Sequence, residues 1–450
     1  MVEYYDLEGW NPWWERESEI LEEVKHLKKR ERWLGVLKKD LSQNVVLVGP
    51  RRAGKTSLMK MVMAELEREG KDMKKILYLP CDTIKNYKEL KEYLELFFRI
   101  NKGKYVFLDE IQFVDEWYRT VKMYMDQSKT FFITGSSSLI VDKAAVSYLV
   151  DRHTKKTLLP MKFSEIMETK EGLSTVDLRT SFRKFPSSFL SPKNLFRTFE
   201  RFSSREIKAI NFHFEKYLIE GGFPKTIFKH YRAEFYQQIL GEVFSKDLAG
   251  ERTNKTWQDF LLFLEYLAQS EGVGTNINAI SRRTEMDYKT VKSFIHWLER
   301  LFILVTVPNC SRSMHKERSI KRQKIYFQDR GLKTALIKKF STRASQQRKG
   351  EDLSRDAEAI IVENMLRTPE LNICYFQESP TSKEIDAVIR VGERNIMVEI
   401  EWGGNYSLKN INEKMKKSKS KDTIILTRDE RELVNENIVK LPASLFTLLF

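Results

Sequence analysis

Gly49-Pro50-Arg51-Arg52-Ala53-Gly54-Lys55-Thr56 stands between the apolar run Val45-Val46-Leu47-Val48 and the stretch Ser57-Leu58-Met59-Lys60-Met61-Val62-Met63. The run is short, β-branched and uncharged, which predicts a buried strand; the stretch after Thr56 predicts a helix. A G-x-x-x-x-G-K-T spacing at such a junction has a definite chemistry. Glycines let backbone N–H groups close round phosphate oxygens, and the opening helix adds the positive end of its dipole. Gly49, Pro50, Arg51, Arg52, Ala53, Gly54, Lys55, Thr56 and Ser57 would together form a nucleotide-binding loop. Lys55 would reach the β- and γ-phosphates and Thr56 would set its hydroxyl on Mg²⁺. The alternative is a purely structural glycine loop, which the strand-to-helix setting disfavours.

Working outward, Lys75–Asp82 reads as a second strand and Tyr87–Ile100 as a helix. Lys104-Tyr105-Val106-Phe107-Leu108 then stops at Asp109-Glu110. A buried strand ending in two acids would deliver Asp109 beside Thr56 to hold Mg²⁺, while Glu110 orients and polarises the attacking water. An exposed acidic turn is the plainer alternative. The strand Thr130–Thr134 runs into Gly135-Ser136, and Ser136 at its tip would sense the γ-phosphate or the water. Arg152 either reaches the phosphates as a finger or pairs on the surface with Asp151 or Asp142. Strands alternating with helices and ending in ligand residues predict an α/β fold over residues 36–160: a P-loop domain with a parallel sheet.

The length of 450 residues leaves room for several cores, and 41% hydrophobic with 31% charged residues describes a globular chain. No apolar stretch approaches a membrane span. Cys81, Cys310 and Cys374 are too scattered for a disulfide framework or a metal knuckle, so a reducing cytoplasm is expected. The net charge of +15 is uneven: residues 310–349 hold thirteen Lys/Arg against Glu317 and Asp329, a net of +11. A second cluster, Lys414 to Lys421, holds five lysines and no acid. Such concentration suits a polyanion, with a solvated lysine-rich surface as the alternative. At the start, Trp10-Asn11-Pro12-Trp13-Trp14 predicts an aromatic latch on a neighbouring domain, followed by one amphipathic helix over Ser18–Lys39.

The second half changes character. Residues 161–255 read as a helical lid, with a loop over Arg183–Pro192 and a sharp turn at Gly221-Gly222-Phe223-Pro224. Over residues 256–349 the pattern is a winged helix: helices at Asp259–Gln269, Asn278–Thr284 and Tyr288–Leu301, then strands at Phe302–Pro308 and Lys324–Gln328. Lys289 and Lys292 on the third helix would face DNA. Lys316, Arg318, Lys321 and Arg322 on the basic wing would grip phosphate. Packing of this module inside the protein is the competing reading. In residues 350–450, a helix over Leu353–Arg367 and a strand over Ile373–Glu378 precede a hairpin-like pair, Glu384–Ile389 and Met397–Trp402, that ends in acids. Asp386 and Glu399 have the spacing of metal-binding carboxylates in a nuclease core of the D…E-x-K kind, but Glu401 stands where the lysine belongs.

With these motifs in hand, the chain resembles archaeal and bacterial AAA-type P-loop ATPases related to the STAND-like signalling proteins. The resemblance is collinear through NPWW, GPRRAGKT, FLDEIQ, ITGSSS, LLPMKFSEI, YLIEGGFP, KIYFQD and EIDAVI…VEIEW. It implies ATP and ADP as ligands, Mg²⁺ as cofactor, phosphate contacts from Lys55 and Thr56, and hydrolytic roles for Asp109, Glu110 and Ser136. It implies an arginine at Arg152 and a C-terminal restriction-endonuclease-like α/β domain. In that domain Glu358 aligns with the helix acid, and Asp386 and Glu399 with the metal acids. Relatives read E-V-K where this chain has Glu399-Ile400-Glu401. The expected function is an ATPase whose nucleotide state controls DNA binding or remodelling, in a form compatible with a homo-oligomer and with no membrane partner. The alternatives are an ADP-loaded signalling switch that binds proteins and an ATP-gated nuclease.

Overall fold

The chain is described by a computed structural model covering all residues except 1–2, 17, 29, 42, 137–152, 230–232, 248–255, 311–321, 341–349, 380 and 403–406. It divides into two compact units: residues 1–160 with 300–302, and residues 161–299 with 303–450.

The first unit is built on a five-stranded parallel sheet. Its strands are β1 (Val45–Val48), β2 (Ile76–Pro80), β3 (Tyr105–Asp109), β4 (Thr130–Gly135) and β5 (Thr154–Thr157). They lie in the order β2-β3-β4-β1-β5. β1 and the core of β3 and β4 are buried along their length, which is why they read as unbroken apolar runs. β5 is the polar stretch Thr-Lys-Lys-Thr on the sheet's edge, and its composition hides it from a hydrophobicity reading. Helices Lys55–Arg68, Tyr87–Asn101 and Trp117–Met125 connect the strands. Because β4 lies between β1 and β3, its tip falls between the phosphate loop and Asp109.

The opening segment differs from expectation in two ways. The single helix over Ser18–Lys39 is two, Glu19–Val24 and Glu31–Lys39, separated where Arg30 leaves the helical region with ψ near +75°. The tryptophan cluster forms a short 3₁₀ turn, Pro12–Trp14, on its own unit. There Asn11 behaves as an added strand residue. Its Nδ2 donates to Tyr78 O at 3.0 Å and its Oδ1 accepts from Tyr78 N at 2.7 Å. Trp14 Nε1 adds a bond to Ile76 O at 2.8 Å, and its ring stacks on Phe97. The aromatic latch thus satisfies the free edge of β2, which would otherwise expose unpaired backbone groups.

The second unit begins with helices between Phe163 and Glu242, including a short one at Pro186–Phe189 inside the expected loop. The Gly221-Gly222 turn is fixed by Asp329: Gly222 N donates to Asp329 Oδ2 at 2.6 Å and Leu332 N to Asp329 Oδ1 at 3.2 Å. A Cβ on Gly222 would lie 2.2 Å from Met161 O, so backbone approach demands glycine there. The motifs YLIEGGFP and KIYFQD, far apart in sequence, are therefore one structural joint. Three helices follow, Trp257–Gln269, Ile277–Thr284 and Tyr288–Arg300. An antiparallel ribbon of β6 (Leu304–Pro308) and β7 (Gln323–Phe327) closes the module. On the third helix Val291, Phe294, Ile295 and Leu298 are buried, whereas Trp297 is half-buried.

The C-terminal part is a six-stranded sheet in the order β12-β13-β11-β10-β9-β8. Its strands are β8 (Asn372–Phe376), β9 (Ile385–Val391), β10 (Arg394–Ile400), β11 (Asp422–Thr427), β12 (Glu432–Asn435) and β13 (Ile438–Pro442). β8, β9 and β10 form an antiparallel meander. The helix Leu408–Ser418 crosses from β10 to the parallel β11. The ribbon continues onto this sheet: Asn309 bridges Tyr375, and Cys310 N donates to Tyr375 O at 2.9 Å. One end of β6 thereby covers the edge of β8.

Candidate functional site

At the tip of β1 the chain makes its loop with Arg52 and Gly54 in the left-handed region, at φ +64° and +97°. A Cβ on Gly49 would meet Leu158 O at 2.1 Å, so the loop closes against the backbone that follows β5. Arg30, turned inward at the break between the two opening helices, donates to Ala53 O at 3.3 Å and Leu159 O at 3.0 Å. A buried guanidinium thus props the loop from behind. Arg51 lies over the ring of Phe113, 5.9 Å from its centroid.

The expected catalytic residues converge on this loop. Lys55, only 3% exposed, donates from Nζ to Gly49 O and Pro50 O, each at 3.1 Å, and lies 3.6 Å from Glu110 Oε1. Thr56 Oγ1 donates to Asp109 Oδ2 at 2.8 Å. Asp109 is held from both neighbouring strands: Tyr78 of β2 donates to Oδ2 at 3.0 Å, and Thr134 of β4 donates to Oδ1. Burial, and then the negative Asp109, push the Tyr78 phenol far up, so it stays a donor. Glu110 takes φ +54°, an uncommon conformation for a non-glycine residue, and its N–H donates to Thr134 Oγ1 at 3.1 Å. Burial works to raise the Glu110 pKa, but Lys55, Gln112 and Arg51 together outweigh it and hold the carboxyl below its ordinary 4.5. Gln112 donates to Glu110 Oε2 and accepts from Ser136 N at 3.1 Å, which ties the acid to the tip of β4. Ser136 is buried beside this network. Arg152 lies outside the described residues.

Tyr78, Gln112, Thr134 and Arg30 were not singled out from sequence. Thr134 carried a signal, being a hydroxyl inside the apolar run Phe131-Phe132-Ile133. Gln112 ends the motif FLDEIQ. Nothing in the sequence distinguished Arg30 from its many basic neighbours.

A second constellation lies in the C-terminal sheet. Asp386 and Glu399 come from facing positions of the β9–β10 hairpin, next to the Ala387–Val398 pair, and so project to one face. One oxygen from each of Glu358, Glu384 and Asp386 lies within 4.8 Å of the others. Asp386 Oδ2 accepts Ile400 N at 2.8 Å. Glu399, 1% exposed, accepts Lys414 Nζ at 2.5 Å on Oε2, while its buried Oε1 has no hydrogen-bond partner. The helix Leu408–Ser418 thus brings an ammonium group to Glu399. Lys324 of β7, wholly buried, reaches Glu358 Oε1 at 2.7 Å and Glu384 Oε1 at 2.5 Å, and Tyr326 donates to the same Glu358 oxygen at 2.7 Å. Burial and Asp386 outweigh the lysine and hold Glu358 up to about 7. Burial and Asp386 likewise raise Glu399 and Glu401. A set of carboxylate oxygens with one buried oxygen unpaired fits a hard divalent cation such as Mg²⁺ or Mn²⁺.

Of the expected DNA-facing residues, Lys289 and Lys292 are exposed on the third helix, as read from sequence. Arg322 is half-buried and donates to Gly274 O at 3.3 Å from Nε and 3.1 Å from its terminal nitrogen. Lys316, Arg318 and Lys321, with the rest of the expected wing, lie outside the described residues.

Residues 42–167 match a family model described as an AAA domain, and residues 211–343 match a domain of unknown function (DUF8612). The second match spans the joint made by Gly222 and Asp329. Curated relatives include an uncharacterized protein of Methanocaldococcus jannaschii, 23% identical over 63% of this chain and 60% of that protein. An uncharacterized protein of Haemophilus influenzae is 23% identical over 80% of this chain and 83% of its own length. The chain thus spans less than two thirds of the first of these and most of the second. Solved structures similar to it include the Aeropyrum pernix Orc1 protein in complex with DNA, 14% identical with a TM-score of 0.29, covering 69% of this chain and 93% of that one. Another is the Thermotoga maritima RuvB Holliday junction branch migration motor, 16% identical with a TM-score of 0.25, covering 64% and 89%. No helix among the described residues is long and apolar enough to cross a membrane. Loop, acid pair, strand order and family match together make residues 42–167 a P-loop domain of AAA type.

Proposed function

We propose that the protein is a Mg²⁺-dependent ATP hydrolase whose nucleotide state controls how its helix-and-ribbon module, taken as a winged helix, and its C-terminal sheet engage DNA. One observation carries the hydrolytic reading: Lys55, Thr56, Asp109 and Glu110 converge around the tips of adjacent strands, with Thr134 bridging the two acids. Thr56 Oγ1 and Asp109 Oδ2 are an oxygen pair that suits Mg²⁺, and bound Mg²⁺ would neutralise charge on the β- and γ-phosphates. Loop N–H groups receive the phosphates, and Lys55 exchanges the carbonyls of Gly49 and Pro50 for phosphate oxygens. Glu110, ionised and steered by Gln112, orients the water that attacks the γ-phosphorus, releasing ADP and phosphate. Ser136 reports the γ-phosphate at the strand tip, and Arg152 supplies charge from its own or a neighbouring copy. Phosphate release measured with and without single- and double-stranded DNA, across salt, tests the reading. Lys55→Ala should abolish turnover, and hydrolysis indifferent to every DNA would sink the DNA-controlled part.

A second reading, DNA cleavage by the C-terminal sheet, is favoured by Lys414, which brings a cation to Glu399 despite Glu401. Mg²⁺- or Mn²⁺-dependent cutting lost in Asp386→Ala and Glu399→Ala would support it. Absence of cutting with either metal would remove it.

A further inference from the structure

The carboxylate cluster of the C-terminal sheet already contains a cation, and that cation belongs to a different module. Glu358 comes from the helix Gly350–Leu366, Glu384 directly precedes β9, and Asp386 lies in β9. Lys324 comes from β7, in the ribbon that completes the three-helix module. Its ammonium sits 2.7 Å from Glu358 and 2.5 Å from Glu384, with a side chain wholly out of water. We propose that Lys324 is a built-in lock on a divalent-cation site: the metal enters between Glu358, Glu384 and Asp386 only when β7 withdraws its lysine.

Three features carry this beyond an ordinary ion pair. First, carboxyls outnumber ammonium groups: Glu358, Glu384, Asp386 and Glu399 meet only Lys324 and Lys414. Crowded carboxyls either take up protons or hold a cation, and a doubly charged ion suits three converging carboxylate oxygens better than a single ammonium. Second, Glu399 Oε1 is buried without a hydrogen-bond partner, next to Asp386 across the hairpin, as a free donor atom for such an ion. Third, an ammonium 2.5–2.7 Å from two of the oxygens occupies the space a metal would take at ~2.0–2.6 Å from the same atoms. The two cations compete for one seat. The ribbon is also tied to β8 through Asn309 and Cys310, so displacement of Lys324 is coupled to how the ribbon sits on the sheet.

Mn²⁺ binding to the full chain, followed by the loss of the free-ion electron paramagnetic resonance signal, should tighten at least tenfold in Lys324→Met and return to the wild-type value or weaker in Lys324→Met with Asp386→Asn. Equal Mn²⁺ affinity in wild type and Lys324→Met would overturn the lock. A second measurement needs no variant. Amine acylation of the wild-type chain, read at Lys324 by mass spectrometry, should be negligible without metal and rise several-fold in Mn²⁺. Labelling that stays unchanged with saturating Mn²⁺ would overturn the proposal even if Lys324→Met fails to fold.

Discussion

Thr134 is a small residue at the centre of the nucleotide site. Its hydroxyl donates to Asp109 and accepts from the backbone of Glu110, so one side chain fixes both the acid proposed for the metal and the acid proposed for water. Thr134→Val keeps the shape and removes both bonds. Turnover should fall by ten- to a hundredfold, about 1.4–2.7 kcal/mol in the barrier, with nucleotide affinity little changed; phosphate release and equilibrium nucleotide binding separate the two. Glu110→Gln should likewise bind ATP and release almost no phosphate. Because Lys55, Gln112 and Arg51 hold Glu110 below its ordinary 4.5, it stays ionised as pH falls through the usual carboxylate range. An acid limb of turnover that disappears in Glu110→Gln residual activity should therefore lie below pH 4.5. Asp109 and Glu110 were legible because an apolar run stops at them. Thr134, Tyr78 and Gln112 were not, since their roles depend on which strands are neighbours, and strand order is not written in local periodicity.

Among the elements, the opening segment shows how polar side chains can finish a sheet. Asn11 replaces a strand residue at the edge of β2, and its three hydrogen bonds are buried. Asn11→Ala would leave Tyr78 N and O without those partners and should cost roughly 2–6 kcal/mol at ~1–3 kcal/mol per buried unsatisfied group. Urea unfolding followed through the tryptophans would read it as a lower midpoint with an unchanged slope. The sequence marked this segment as aromatic and adhesive, yet gave no sign that its target was a β2 edge. The basic region after Cys310 is a similar lesson. Of its thirteen Lys/Arg, Lys324, Arg330 and Lys333 are buried in pairs with Glu358, Glu384, Glu271 and Asp356. Charge counted along the chain overstated charge offered to solvent, because the compensating acids lie up to dozens of residues away. Many helices and strands were legible, since their apolar periodicities are local; a polar edge strand, a helix interrupted to aim one arginine, a short helix inside an expected loop and the strands after residue 420 were not.

For the whole molecule, the proposed control of DNA by nucleotide is a statement about coupling, and coupling is reciprocal. If ATP changes DNA affinity by some factor, DNA must change ATP affinity by the same factor. Glu110→Gln makes the measurement feasible by holding ATP uncleaved. DNA affinity with and without ATP, and ATP affinity with and without DNA, should then shift by equal ratios, on the order of five- to 150-fold for a coupling of ~1–3 kcal/mol. The salt dependence locates the contact. Lys289 and Lys292 are exposed on the third helix, and Arg322 is engaged with Gly274. Lys289→Ala with Lys292→Ala should flatten the log–log dependence of DNA affinity on salt by about 1.8, at roughly 0.9 per lost phosphate contact. Arg322→Ala should change that slope by less than either lysine. Were the two nucleotide ratios both one, the P-loop domain and the proposed DNA-binding module would be independent machines on one chain. A ratio above one with an unaltered salt slope would keep the coupling and move the DNA contact away from the third helix.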